Sequence, residues 1–401
     1  MADVAAADAK SSSLRSVLLW ADHERNEAEQ LQNCFFFLLV YTRLTYYVWV
    51  SPHVLALDFS LSITTKNSSI ATQINATSPP PANPFSLRRS MASKSISSVP
   101  INPSNTRIGW IGTGVMGRSM CGHLIRAGYS VTVFNRTVSK AQTLIDMGAK
   151  LADSPNSLAA QSDVVFSIVG YPSDVRHVLL DPISGALSGL NPGGVLVDMT
   201  TSEPSLAEEI SKAASSANCF SIDAPVSGGD LGAKNGKLAI FAGGDETTVK
   251  RLDPLFSLMG KVNFMGTSGK GQFAKLANQI TIASTMLGLV EGMIYAHKSG
   301  LDVKKFLKAI STGAAGSKSI DLYGDRILKR DFDPGFYVNH FVKDLGICLK
   351  ECQRMGLALP GLAIAQQLYL SLKAHGEGDL GTQALILSLE RLNNVSVQPI
   401  M

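Results

Sequence analysis

The stretch Gly112-Thr113-Gly114-Val115-Met116-Gly117 limits the possible folds more than any other, because of what flanks it. Before it lies Thr106-Arg107-Ile108-Gly109-Trp110-Ile111, short and mostly apolar, which reads as a buried strand. After it, Ser119 to Ala127 reads as a helix with Gly128 as its stop. The chain holds 35 glycines, so the six-residue pattern alone carries little weight. Strand, glycine turn and helix start together are the context of a dinucleotide site. The first glycine permits the tight turn, the second lets the backbone approach a pyrophosphate, and the third lets helix and strand pack closely. Unpaired N–H groups at the helix start then face the phosphates.

A second strand, Ser130-Val131-Thr132-Val133-Phe134, follows. An acid at its end would bond the ribose 2′-OH of NAD and repel a 2′-phosphate. This chain has Asn135-Arg136-Thr137 there. Arg136 offers a fork of donors to a phosphate and Thr137 a hydroxyl, so NADP is expected, with NAD the alternative. Further strands are expected at Asp163–Val169, Gly194–Asp198, Cys219–Asp223, Leu238–Ala242 and Val262–Met265. Where helices separate them the sheet is expected to be parallel, with ligands at the carboxyl ends of its strands. Those ends carry Gly170-Tyr171-Pro172, Met199-Thr200-Thr201 and Ala224-Pro225-Val226-Ser227-Gly228-Gly229. A serine beside two glycines suits a carboxylate, and it equally suits a plain turn.

After Gly269-Lys270-Gly271 the pattern becomes helical. Gln272 to about His297 is apolar-rich and free of proline, roughly 39 Å as a helix, long enough to join two domains. Later helices are expected at Val303–Ile310, Val342–Met355 and Ala363–His375. The fold class is therefore an α/β Rossmann-type doubly wound sheet over 106–267, followed by an all-α domain over 268–395 that the long helix joins to it. Lys275 is placed in the first turn of that helix, with Asn278 and Gln279 three and four residues on and on the same face. By itself Lys275 reads as a surface lysine. Lys343-Asp344-Leu345 by itself reads as a surface helix start.

Residues 1–105 differ from the rest. Phe35–Val40 and Tyr46–Val50 are apolar, yet Arg43 and Pro52 keep any run short of the ~18 residues that a membrane span needs. From Phe59 to Thr106 there is no Asp or Glu, while Lys66, Arg88, Arg89 and Lys94 are present. An acid-poor, serine-rich, basic segment has the composition of an organellar transit segment. The alternative is a start at Met91, with an extension before it. Pro79-Pro80-Pro81 reads as a disordered linker, and the sequons at Asn67 and Asn75 carry little weight. Net charge is +4 without a dense basic block, which does not suggest a nucleic-acid partner. Cys34, Cys121, Cys219, Cys348 and Cys352 are scattered, so reduced thiols inside a cell and no metal site are expected.

In this order the motifs resemble the β-hydroxyacid dehydrogenase family: Gly112 to Gly117, Asp223-Ala224-Pro225-Val226-Ser227-Gly228-Gly229, Gly269-Lys270-Gly271-Gln272-Phe273-Ala274-Lys275, and Lys343-Asp344-Leu345. Within it the chain resembles the plant 3-hydroxyisobutyrate dehydrogenase-like proteins and is similar to the glyoxylate and succinic semialdehyde reductases. The resemblance covers about 106–395. It implies Lys275 as the catalytic residue and Ser227, Gly228 and Gly229 as holders of a small substrate's carboxylate, with Asn278 and Gln279 beside them. It implies cofactor contacts from the glycine turn (Gly112, Thr113, Gly114, Val115, Met116, Gly117), from Asn135, Arg136 and Thr137, and from Thr201 and Lys343. Tyr171, Pro172 and Arg176 match cofactor contacts more loosely.

The implied reaction is NAD(P)-dependent hydride transfer on a short 3-hydroxy acid, of the kind used in valine degradation. The alternatives are NADPH-dependent reduction of glyoxylate or succinic semialdehyde, and a non-catalytic NADP-binding protein. Decarboxylating phosphogluconate dehydrogenases would carry a His-Asn pair where Asn278-Gln279 stands, and imine reductases generally lack the lysine. Many family members have Asn four residues after the lysine. Gln279 is one methylene longer, so the substrate-side amide is displaced or its role moves. A homo-oligomer is expected without a membrane partner, in the mitochondrion or alternatively the cytoplasm.

Overall fold

The computed structural model describes residues 99–397. The extension read over 1–105, with its apolar runs, Cys34, the prolines and Met91, lies outside the described residues except for 99–105. Those last residues are packed: Ile101 joins the first hydrophobic core, and Asn102 accepts from Ser104 and receives backbone bonds in a tight turn.

Nine strands form one sheet among the described residues: β1 (Arg107–Ile111), β2 (Ser130–Phe134), β3 (Lys150–Leu151), β4 (Val164–Ser167), β5 (Val195–Asp198), β6 (Phe220–Asp223), β7 (Val226–Ser227), β8 (Leu238–Gly243) and β9 (Gly260–Gly266). From β3 through β2, β1, β4 and β5 to β6 every pairing is parallel. Helices cross between them: α1 (Val115–Arg126), α2 (Gln142–Asp146), α3 (Pro155–Ala159), α4 (Pro172–Leu180), α5 (Ala186–Gly189) and α6 (Pro204–Ser216). The strand order reverses between β1 and β4, so the loops after these two strands open side by side at the switch point where such sheets take ligands. β4 and β5 are buried along their whole length, as strands covered on both faces must be. One core stacks Trp110 on Phe166, ring centroids 5.3 Å apart, with Phe256 at an edge. The other holds Ile111, Val165 and Leu196.

Two expectations about this half are corrected. Helix α1 begins at Val115, four residues before Ser119, so the last three residues of the glycine stretch are already helical. The sheet is not parallel throughout: β8 runs antiparallel to β6 and β7, although α7 (Gly229–Lys234) intervenes. The connection from Ser227 to Leu238 is too short for a parallel crossover, which takes a dozen or more residues. α8 (Glu246–Arg251) and α9 (Asp253–Phe256) then lead to β9, which pairs parallel with β8.

The helical half begins with α10 (Lys270–Lys298) and continues through α11 (Val303–Ile310), α12 (Lys318–Leu328), α13 (Val338–Met355), α14 (Pro360–Ala374) and α15 (Leu385–Asn393). α10 is apolar on most of its circumference because it is the post of this domain. Leu276, Ala283, Met286, Val290 and Met293 are buried against residues such as Phe341, Leu345, Tyr369 and Leu385. By length and composition α10 could cross a membrane, but burial inside the domain accounts for the same pattern. Cys348 and Cys352 are both buried in this core. Starting at Lys270 puts Lys275 in the second turn of α10 rather than the first.

Candidate active site

The glycine turn is built so that main chain, not side chain, faces outward. Gly112 has φ of 93°, and a Cβ there would lie 2.1 Å from the Ile168 carbonyl oxygen. A Cβ on Gly117 would lie 2.0 Å from the Gly112 oxygen, so only glycine lets α1 press against the turn. Gly114 differs, since a Cβ there would meet nothing within 4 Å. Its missing side chain leaves open space over the helix start, which is what a bulky anion needs. Gly114 is the N-cap of α1 and supplies no side-chain cap, so the first N–H groups of the helix, at Val115 and Met116, lack a side-chain acceptor. The buried Thr113 hydroxyl also has no hydrogen-bond partner among the described residues. These features fit a dinucleotide pyrophosphate.

The end of β2 lies beside this turn. Asn135 is a tie within the protein: its side-chain oxygen accepts from Thr113 N–H at 2.9 Å and its amide donates to the Thr137 carbonyl at 2.8 Å. Arg136 is 90% exposed, with only a long 3.6 Å approach to Asp174. Tyr171 is exposed where α4 begins and Pro172 is the first helical residue, while Tyr171 N–H donates to Asp174. Arg176 forms a two-pronged pair with Glu209 on α6.

Lys275 is not a surface lysine: only 7% of the residue is exposed. Its ammonium donates to Gln279 Oε1 at 2.9 Å. Burial pushes the amine down to about 8, with Lys343 helping and Asp344 opposing. Ser227 Oγ donates to Asn278 Oδ1 at 3.1 Å, which brings the serine-glycine loop onto the same face of α10. Gly228 and Gly229 both take positive φ, 131° and 64°. Lys343-Asp344-Leu345 is likewise not a surface helix start, because Asp344 is 1% exposed and lies in the second turn of α13. Lys343 donates to the Thr201 carbonyl at 2.6 Å. It also sits 2.8 Å from Asp344 Oδ1, close enough for an ion pair but off the hydrogen-bonding direction. The structure thus gathers Lys275, Ser227, Asn278, Gln279, Thr201 and Lys343 from β7, α10, α13 and the loop after β5.

Three supporting residues escaped the sequence reading as individuals. Asp223 accepts from Gly269 N–H at 2.8 Å and from Gln272 N–H at 2.9 Å, capping α10 from another strand. Burial pushes its carboxyl up to about 7, with Asp198 acting in the same direction. Gln272 is fully buried; it accepts from Ser202 N–H and donates to the Thr200 carbonyl, stitching the long helix to the loop that carries Thr201. Asp344 accepts from Gln279 Nε2 at 2.6 Å. Its signal was available, since a carboxylate three residues after Phe341 and four before Cys348 falls on an apolar helix face.

A Rossmann-like sheet with an open glycine turn at its switch point, joined by a long helix carrying a buried lysine to a helical domain, points to the class of nicotinamide-dependent oxidoreductases. The model described as the NAD binding domain of 6-phosphogluconate dehydrogenase matches residues 107–269. The model described as NAD-binding of NADP-dependent 3-hydroxyisobutyrate dehydrogenase matches 269–389. Over 321 residues the chain is 89% identical to "Probable 3-hydroxyisobutyrate dehydrogenase-like 1, mitochondrial" of Arabidopsis thaliana, covering 80% of this chain and 96% of that one. Mycobacterium tuberculosis 3-hydroxyisobutyrate dehydrogenase with L-serine superposes with a TM-score of 0.65 at 28% identity, over 71% of this chain and 99% of that one. Psf3 in complex with NADP+ and 2-OPP gives a TM-score of 0.65 at 25% identity, over 70% and 99%. The chain belongs to the β-hydroxyacid dehydrogenase family, as a 3-hydroxyisobutyrate dehydrogenase-like oxidoreductase with an NAD(P)-binding domain.

Proposed function

We propose that this protein transfers hydride reversibly between NADP and a short 3-hydroxy acid, with Lys275 as the proton-transfer group. The observation that carries the reading is the Lys275 amine, buried at the domain junction, lowered to about 8, and joined through Gln279 and then Asn278 to the Ser227 loop. The first turn of α1 would hold the pyrophosphate, Arg136 and Thr137 the 2′-phosphate, and Thr201 and Lys343 the nicotinamide end. Bound NADP would supply or accept the hydride. Ser227 and the Gly228-Gly229 backbone hold the substrate carboxylate, which places the carbinol oxygen at Lys275. Positioning of this kind can be worth several kcal/mol, up to about 7–11 in the best cases. In oxidation the neutral amine takes the hydroxyl proton, and in reduction the ammonium returns it and steadies the developing alkoxide. The domains run over 106–267 and 268–395. The protein acts in the mitochondrion on substrates such as 3-hydroxyisobutyrate, in keeping with the relative's name; we propose further that it does so as a homo-oligomer and in valine degradation.

One observation favours a second reading in which reduction dominates. An amine with a pKa of about 8 is mainly ammonium at neutral pH, the form that donates a proton to glyoxylate or a semialdehyde. The test is initial rate on the full chain with NADP or NAD, using 3-hydroxyisobutyrate, glyoxylate and succinic semialdehyde in parallel. Turnover with one substrate that Lys275→Met abolishes supports the reading and assigns the direction. Tight NADP binding without turnover on any of the three would leave a nucleotide-binding fold with another substrate to find, and would favour the non-catalytic reading.

A further inference from the structure

Gln279 stands where many family members have Asn, and the structure shows what the extra methylene does. Gln279 is 1% exposed, whereas its neighbour Asn278 is only half-buried. Both acceptor directions of the Gln279 oxygen are taken, by Lys275 Nζ at 2.9 Å and Asn278 Nδ2 at 2.8 Å. Its nitrogen donates to Asp344 at 2.6 Å. Chemistry dictates this orientation of the amide. An ammonium needs an acceptor and a carboxylate needs a donor, so the flipped amide would oppose both partners. An Asn side chain at 279 would be about 1.5 Å shorter and could not span Lys275 and Asp344 from the same backbone position.

We propose that Gln279 is a positioning residue, anchored by Asp344, that holds the Lys275 amine at its working place. The amide that meets substrate is then Asn278. Asn278 faces the Ser227 loop, is the more accessible of the two, and keeps one N–H and one lone pair uncommitted by its bonds to Ser227 and Gln279. The carboxylate-binding group thus becomes Ser227 with Asn278, and residue 279 works through the lysine. The inference rests on the reading of Lys275 as the proton-transfer group. The charged and titratable groups that act on the Lys275 amine are Asp344, Lys343 and Cys348, all on α13, and the side chains beside it on its own helix are uncharged amides.

The test compares Gln279→Leu, Gln279→Asn, Asp344→Asn and Asn278→Ala in the full chain by steady-state kinetics. It adds competitive acetic anhydride labelling of Lys275 against pH in the absence of substrate, read by mass spectrometry. Gln279→Leu is expected to lower kcat by about 10- to 100-fold, a large part of what a general acid–base group supplies, with the substrate KM little changed. Gln279→Asn should give the same pattern in a milder form. Asn278→Ala should instead raise the substrate KM by roughly tenfold, as loss of a hydrogen bond to a charged group does. The labelling midpoint of Lys275 should move to lower pH in Gln279→Leu, which removes an acceptor, and in Asp344→Asn, which removes a charge. A purely structural role would not shift that titration. A Gln279→Leu enzyme with raised KM, unaltered kcat and an unmoved midpoint would overturn the proposal and return 279 to the substrate. Turnover that survives Lys275→Met would overturn its premise, whereas unmoved midpoints in an enzyme that needs Lys275 would overturn the Gln279–Asp344 clamp alone.

Discussion

At the β1–α1 turn the groups left open are main-chain N–H groups, and three glycines clear the way to them. At the α10–α13 junction the open groups are side chains, and nearly every one has a partner: Lys275 with Gln279, Gln279 with Asp344, Asn278 with Ser227, Lys343 with Thr201. The first region sits in a single stretch of the chain and keeps its donors toward solvent. The second is assembled from segments up to 142 residues apart, and Lys275, Gln279 and Asp344 at its centre are buried. The contrast follows from the tasks. Holding a pyrophosphate takes fixed dipoles that any phosphate can reach. Moving one proton takes an amine whose protonation is set by burial and by named neighbours.

The largest effect that could break this division is in the lysine cluster. Lys275→Met is expected to reduce kcat by about 10²–10⁴-fold, the usual contribution of a general acid or base, with the NADP Kd from fluorescence titration unchanged. A Kd that rises with the loss of turnover would mean that the two regions are not separate. Next is Gly117→Ala, where the new Cβ would strike the Gly112 carbonyl oxygen. Overpacking of this kind costs about 1–3 kcal/mol, so NADP binding should weaken and Tm fall, while Lys275 keeps its labelling pH. Arg136→Glu should raise the NADP Kd by roughly tenfold or more and leave NAD nearly unaffected, given the worth of a charge-assisted bond. Equal loss for both cofactors would remove Arg136 from the 2′-phosphate.

A pH profile sharpens the comparison without a mutation. Lys275 near 8 predicts that oxidation rises with pH through that value as the amine loses its proton, and that reduction falls over the same range. NADP affinity should not follow this curve. Arg176→Ala is expected to have the smallest effect. The pair with Glu209 is about half exposed on both sides and contributes under about 1 kcal/mol, so Tm should move little. An NADP Kd raised tenfold by Arg176→Ala would show that the arginine leaves Glu209 for the cofactor.

Much of the nucleotide half could be read directly, because its signals are local. Strands β1, β2, β4 and β5 fall where apolar runs end in glycine or polar residues, and Gly112, Gly114 and Gly117 each match a distinct demand of the backbone. Reading failed where a neighbour in space decides. The antiparallel β8 follows from a connection too short to cross over. Lys275, which read alone is a surface lysine, is buried by segments distant in the chain.

The amino-acid order by itself determined the glycine turn, the long apolar helix and the presence of Lys275 and Lys343, because strand, helix and turn propensities act over a few residues. Only the tertiary structure decided that Lys275 is buried and lowered, that Asp344 stands behind Gln279, and that Asp223 caps a helix beginning 47 residues later. A lysine's protonation depends on how much water surrounds it and which charges stand within a few ångströms, and no periodicity along the chain records either.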